Sequence, residues 1–255
     1  MKIIRFIVSF MLILGMLILV VWAAIRTNDQ TCKGISITIH AAEKTELITE
    51  SDVLSILKEN KAEWEGRKMK DIDLSLINKI LTQENYIKSV DKVHFSGSKM
   101  QIEITLHNIL LEILLKDDKK FLLDDQGVYL PYTPKVGNGV MIASGIIPNT
   151  FRKNEAVSPA NEELYGVFVV ATLIKSDPTY AAWFEKMYIN EKQEITLYPT
   201  SCQIPVLFGT MQNAEKKLEA LKYMYKEVLP YVEKGKYAQL DVRFQNRIVA
   251  AKSKS

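Results

Sequence analysis

Hydrophobic positions along this chain follow three different patterns. Phe6 to Ile25, FIVSFMLILGMLILVVWAAI, is twenty residues without a charge. At ~1.5 Å per residue, a helix of that length spans the ~30 Å hydrocarbon core of a bilayer. The run exceeds the ~7–15-residue apolar core of a cleaved secretory signal. It therefore predicts an uncleaved transmembrane helix over residues 6–25. Trp22 suits the membrane–water interface, where its ring stays apolar and its N–H wet. Lys2 and Arg5 favour a cytoplasmic tail over residues 1–5, which sends the rest of the chain outward, N-in and C-out.

After a linker over residues 26–34, the period becomes two. Ile35, Ile37 and Ile39 alternate with Ser36, Thr38 and His40, the pattern of a half-buried strand. Thr49-Glu50-Ser51-Asp52 is a capping box. It opens a short helix whose buried stripe is Val53, Ile56 and Leu57. A second helix starts near Asp73 with Leu74, Ile77, Ile80 and Leu81 on one side. Val90 to Phe95 and Met100 to His107 then alternate on either side of Ser96-Gly97-Ser98-Lys99, a hairpin signal. The order is strand, helix, helix, strand, strand over residues 35–107.

Residues 108–251 read as a β-rich domain with packed helices. Strands are predicted over Ile109–Lys116, Lys119–Leu123, Val140–Gly145, Tyr188–Asn190, Glu194–Tyr198, Ile204–Phe208, Gln239–Phe244 and Ile248–Ala251. Asp125-Gln126-Gly127 is a turn with Gly127 available for positive φ. Helices are predicted over Glu162–Lys175 and Asn213–Leu229, the latter ended by Pro230 and Gly235. Residues 252–255 are a polar, frayed tail. The fold class is α+β.

Charge narrows the function. The 255 residues carry 33 basic and 30 acidic side chains, interspersed, for a net charge of +3. That is a solvated exterior, and no nucleic-acid surface is indicated. Cys32 and Cys202 are two unrelated thiols. His40, His94 and His107 all fall on strands of the first exported domain, and His40 and His107 are read as solvated. There is no HExxH, no CxxC, no GxSxG elbow and no Walker loop. Asp117-Asp118 and Asp124-Asp125 are read as shaping turns. No catalytic, cofactor-binding or metal-binding residue is assigned, and no cofactor or small-molecule substrate is expected. The chain is read as acting by binding rather than as an enzyme.

The βααββ order after a single anchor resembles a POTRA module, and the whole order of segments resembles the FtsQ/DivIB family of bacterial cell-division proteins. Leu122-Leu123-Asp124-Asp125-Gln126-Gly127 is similar to that family's Leu-Asp-x-x-Gly turn, and Leu240-Asp241-Val242-Arg243-Phe244 to its near-terminal Asp-x-Arg-aromatic signature. At the junction, where the family often has Glu-Arg-x-Pro, the chain reads His107-Asn108-Ile109-Leu110. The resemblance implies a non-catalytic divisome scaffold in the cell inner membrane at the septum, with the bulk of the chain periplasmic. It implies partners of the FtsB and FtsL type and control of septal peptidoglycan synthesis. By position, Arg243, Phe244, Ile248, Val249 and Ala250 are the implied partner-binding residues. Arg243 would meet a carboxylate, Phe244 an apolar pocket, and the other three would supply a backbone ladder. The alternatives are another POTRA-bearing assembly or secretion component, or an anchored envelope hydrolase.

Overall fold

A computed structural model describes residues 10–21, 30–41, 46–137, 139–148, 155–160, 162–200, 204–233, 235–244 and 247–253. Residues 10–21 are helical (α1), with every side chain exposed. Among the described residues no helix is long and apolar enough to cross a membrane. The span predicted over 6–25 extends past both ends of the described part of α1, and Cys202 also lies outside the described residues. The chain divides into two compact units, Met1–Ala42 with Ile48–Leu106, and Glu43–Leu47 with His107–Ser255.

The first unit has the βααββ order. β1 (Gly34–His40) leads to α2 (Glu50–Glu59) and α3 (Leu74–Thr82), then β2 (Ile87–Ser96) and β3 (Lys99–Leu106). Thr49 and Asp52 form the capping box: Asp52 N donates to Thr49 Oγ1 at 3.3 Å, and Thr49 N to Asp52 Oδ2 at 2.9 Å. Such a cap stabilises a helix by about 1 kcal/mol. Asp73 caps α3, accepting from the amides of Ser75 and Leu76. β3 lies between its neighbours, parallel to β1 and antiparallel to β2. Alternation puts Met100, Ile102, Ile104 and Leu106 in the core, with Val53, Leu57, Ile77, Ile80 and Leu81 from the helices.

The described residues of the second unit build one nine-stranded sheet with packed helices. Its strands are β4 (Ile109–Leu114), β5 (Lys120–Asp124), β6 (Tyr129–Pro131), β7 (Met141–Gly145), β8 (Phe184–Ile189), β9 (Ile195–Pro199), β10 (Val206–Gly209), β11 (Tyr237–Asp241) and β12 (Val249–Lys252). They lie in the order β12-β11-β10-β9-β8-β7-β4-β5-β6. The pairs β4–β7, β7–β8 and β10–β11 are parallel and need crossovers, and the last two are made by helices. The β7–β8 crossover is α4 (Glu162–Ser176) with α5 (Pro178–Trp183), and the β10–β11 crossover is α6 (Ala214–Tyr223). These helices share one apolar core with the sheet, built on residues such as Ile113, Val170, Met187, Leu197, Phe208, Leu218 and Leu240.

Four expectations are corrected. The tail read as frayed from residue 252 is ordered at its start, where Lys252 belongs to the last strand and Ser253 N donates to Lys236 O at 3.0 Å. The single helix predicted over Asn213–Leu229 is α6 followed by a π turn at Met224–Val228 and a 3-10 turn at Leu229–Tyr231. Pro230 has no N–H for a carbonyl four residues earlier, so regular α-helix cannot run through it. The strand predicted to reach Phe244 stops at Asp241, because the Asp241 carboxylate accepts from Arg243 N at 3.0 Å and turns the chain. His107, read as solvated, is largely buried, with Nδ1 2.7 Å from Oδ2 of the fully buried Asp124. Asp124 also accepts from Gln126 N at 2.9 Å and Val128 N at 2.7 Å, which shapes the turn around Gly127 (φ 79°). Asn108 Nδ2 donates to Asp125 at 3.2 Å, so the two residues at the junction clasp the two turn aspartates.

Candidate partner-binding edge

β12 ends the sheet, and among the described residues no strand lies beyond it. Its four residues, Val249-Ala250-Ala251-Lys252, run antiparallel to β11, with Asp241 opposite Val249 and Leu240 opposite Ala250. The direction of the amides follows from β11. Leu240 N donates to Pro205 O and Val242 N to Leu207 O, each at 3.0 Å, on the β10 side. Successive amides alternate between the two edges of a strand. Asp241 therefore faces β12, and Val249 opposite it turns its amide inward. Ser253 N does the same, donating to Lys236 O at 3.0 Å. The amides of Ala250 and Lys252 point off the sheet, where another chain can add a strand.

Side chains alternate independently of this. Ile248 and Ala250 pack against the core, while Val249 is 44% exposed. Phe244, also 44% exposed, lies in the loop before β12, with the Arg247 guanidinium 5.0 Å from its ring centre.

Arg243 is already engaged within its own chain. Its Nη2 is 2.7 Å from Asp241 Oδ2, its Nε donates to Asp241 Oδ1 at 3.0 Å, and its Nη1 donates to Glu194 Oε1 at 3.1 Å. The hydrogen bonds to Asp241, and then to Glu194, raise the guanidinium pKa further. Arg243 in turn holds the Asp241 carboxyl below its usual value. Glu194 is lowered by a hydrogen bond from Asn190 and, secondarily, by Arg243. Gly209 (φ 77°) makes room for this: a Cβ there would sit 2.9 Å from Arg243 Cγ. The network thus ties the segment leaving β11 to the turn before β9, over the end of β10.

Beside it runs a groove of about 1030 Å³. Lys216, Ala220 and Tyr223 of α6 line one wall, and Arg243, Phe244 and Ile248 the other. Burial pushes the Lys217 ammonium pKa down, and its Nζ donates to Thr210 O at 2.8 Å.

All five residues implied by the sequence are therefore gathered at one end of the sheet, in different roles. Val249 and Phe244 present side chains, Ala250 presents an outward amide, Ile248 braces the core, and Arg243 organises the loop. Sequence reasoning missed Glu194 and Gly209. The spacing of Asp241 and Arg243 hints at their pairing, but nothing in the sequence links Arg243 to residue 194.

A family model described as FtsQ/DivIB, C-terminal related, matches residues 111–251, and a POTRA-like domain model matches residues 30–105. No curated protein matches the chain. The first match takes in the sheet of the second unit except the start of β4 and the last residue of β12, and the second takes in the βααββ unit except the last residue of β3. With more than half of its length matched by the FtsQ/DivIB model, the chain belongs to the FtsQ/DivIB family.

Proposed function

We propose that this protein is a non-catalytic scaffold of bacterial cell division that captures a partner strand on β12. The observation that carries this is the open edge: outward amides at Ala250 and Lys252 beside the exposed Val249. The uncharged run Phe6–Ile25 supports a single membrane anchor, N-in and C-out, in the inner membrane. On this reading the two units lie outside the cytoplasm at the septum. There they bind small single-pass division proteins of the FtsB and FtsL type and help control septal peptidoglycan synthesis. Sheet extension needs only matched backbone groups and a few side-chain pockets, so binding requires no catalytic group.

The test is Ala250→Pro. Proline removes the outward donor without touching the inward amide of Val249. The expected result is loss of partner capture by a domain that still melts cooperatively, with Lys252→Pro weakening capture through the second outward amide. Full capture by both folded variants would rule out edge binding.

A further inference from the structure

The first unit is tied down within a few residues of the apolar run. Gln30 O accepts from Met69 N at 2.9 Å, Thr31 bridges Lys68, and Cys32 N donates to Arg67 O at 2.8 Å. Only residues 26–29 separate Gln30 from Ile25. Fully stretched, those five steps reach roughly 18 Å. The headgroup layer beyond the hydrocarbon core is itself ~5–8 Å thick. If the anchor proposed above spans the membrane, the leading end of this unit therefore lies within reach of the headgroups.

The topology shows what stands at that end. β1 and β3 are parallel and start together, Gly34 opposite Lys99, and Lys33 N donates to Ser98 O at 2.8 Å. The β2–β3 hairpin tip and the loop ending in Met69–Asp71 thus surround the point where the chain comes in. Exposed there are Lys33, Arg67, Lys68, Lys70 and Lys99, against the acids Glu63, Glu65 and Asp71. Glu63 is matched by Arg67. Among the described residues neither Lys33 nor Lys99 has a carboxylate partner.

We propose that this leading end is a contact for anionic lipid headgroups, with Lys33 and Lys99 as its chief cations. The proposal rests on the anchor reading. A cation held near an anionic membrane surface strengthens association about fivefold, and the gain fades beyond a Debye length.

The experiment uses the full chain in nanodiscs of phosphatidylcholine with or without phosphatidylglycerol. The discs carry nitroxide-labelled headgroups, and a fluorescent amino acid replaces Ser96 or, separately, His40 at the opposite end of β1. The expected result is strong quenching at 96, weak quenching at 40, and a several-fold loss at 96 in the Lys33→Glu/Lys99→Glu variant or without phosphatidylglycerol. Equal quenching at the two positions, or quenching at 96 that ignores lipid charge and the double variant, would overturn the lipid contact while leaving the anchor intact. A chain that elutes apart from the discs would overturn the anchor and the contact with it.

Discussion

The two edges of the nine-stranded sheet are treated in opposite ways. At β6 the chain seals its own edge. Val128 bridges Ala156, Tyr129 N donates to Glu155 O at 2.9 Å, and Val157 N donates to Gly127 O at 2.9 Å. Pro131 adds a residue with no amide to offer. At β12 the described residues provide no such cover, and the strand holds neither proline nor glycine. Unpaired edges invite aggregation, and natural sheets blunt them by covering them, shortening them or placing lysine on them. β12 is short and ends in Lys252, which limits indiscriminate pairing but leaves its ladder usable. The difference teaches that an open edge in a sheet able to close its other one is a candidate for binding.

The largest effect is expected from breaking the sealed edge. Asp124→Ala strips the partners from His107, Gln126 N and Val128 N together. Leaving such buried groups unmatched costs about 3 kcal/mol. Urea unfolding should show that loss, and hydrogen exchange should show the amides of residues 127–129 losing protection first.

Next comes the open edge itself. Ala250→Pro should weaken partner capture at least about tenfold, or ~1.4 kcal/mol, with little change in melting. Val249→Pro should do the reverse of a clean test, because its amide serves β11 and its loss frays β12. Titration of each variant with a partner peptide, alongside a thermal melt, separates the two.

A smaller effect is expected at Gly209, whose φ of 77° is left-handed and where an added Cβ would meet Arg243 Cγ at 2.9 Å. Gly209→Ala should cost about 1 kcal/mol for the left-handed conformation. It should also displace Arg243, which would appear as new amide shifts at Glu194 and Phe244.

The smallest effect lies away from both edges. Asp177 caps α5, and a hydrogen bond from Lys222 of α6 holds its carboxyl at about 2. A depressed carboxylate stabilises the fold above its unfolded value of ~3.9 and loses that contribution as pH falls toward the folded value. Asp177→Asn should therefore flatten the dependence of Tm on pH across that window and leave partner capture unchanged.

Much of this fold is legible in the sequence, because local rules agree with one another in the first unit. Thr49 and Asp52 announce α2, Asp73 announces α3, and alternation through Met100–Leu106 announces β3. The second unit is harder where an element is short or its end depends on tertiary contacts. α5 has only six residues, and Asp177-Pro178 signals a break as readily as a capped helix start. The π turn after α6 carries Tyr225, whose ring stacks on Trp183 at 4.9 Å, a contact across 42 positions that no window reveals. The candidate site is legible as a place but not as a set of roles. Sequence pattern gathers Phe244 to Ala250 at the last strand. Which amide faces outward depends on the side on which β11 lies, and that is known only from the sheet order. His107 and Asp124 likewise stand seventeen positions apart, so a pattern read along one strand assigns His107 to solvent.

The most direct test is site-specific photo-crosslinking in growing cells. A photoreactive residue at 249 on the open edge is compared with one at 132, next to the sealed edge, where Tyr132 is 36% exposed. Adducts from 249 to one or two small membrane-anchored division proteins, with none from 132, are the predicted result. Adducts to those proteins from 132 and only intramolecular products from 249 would contradict the account.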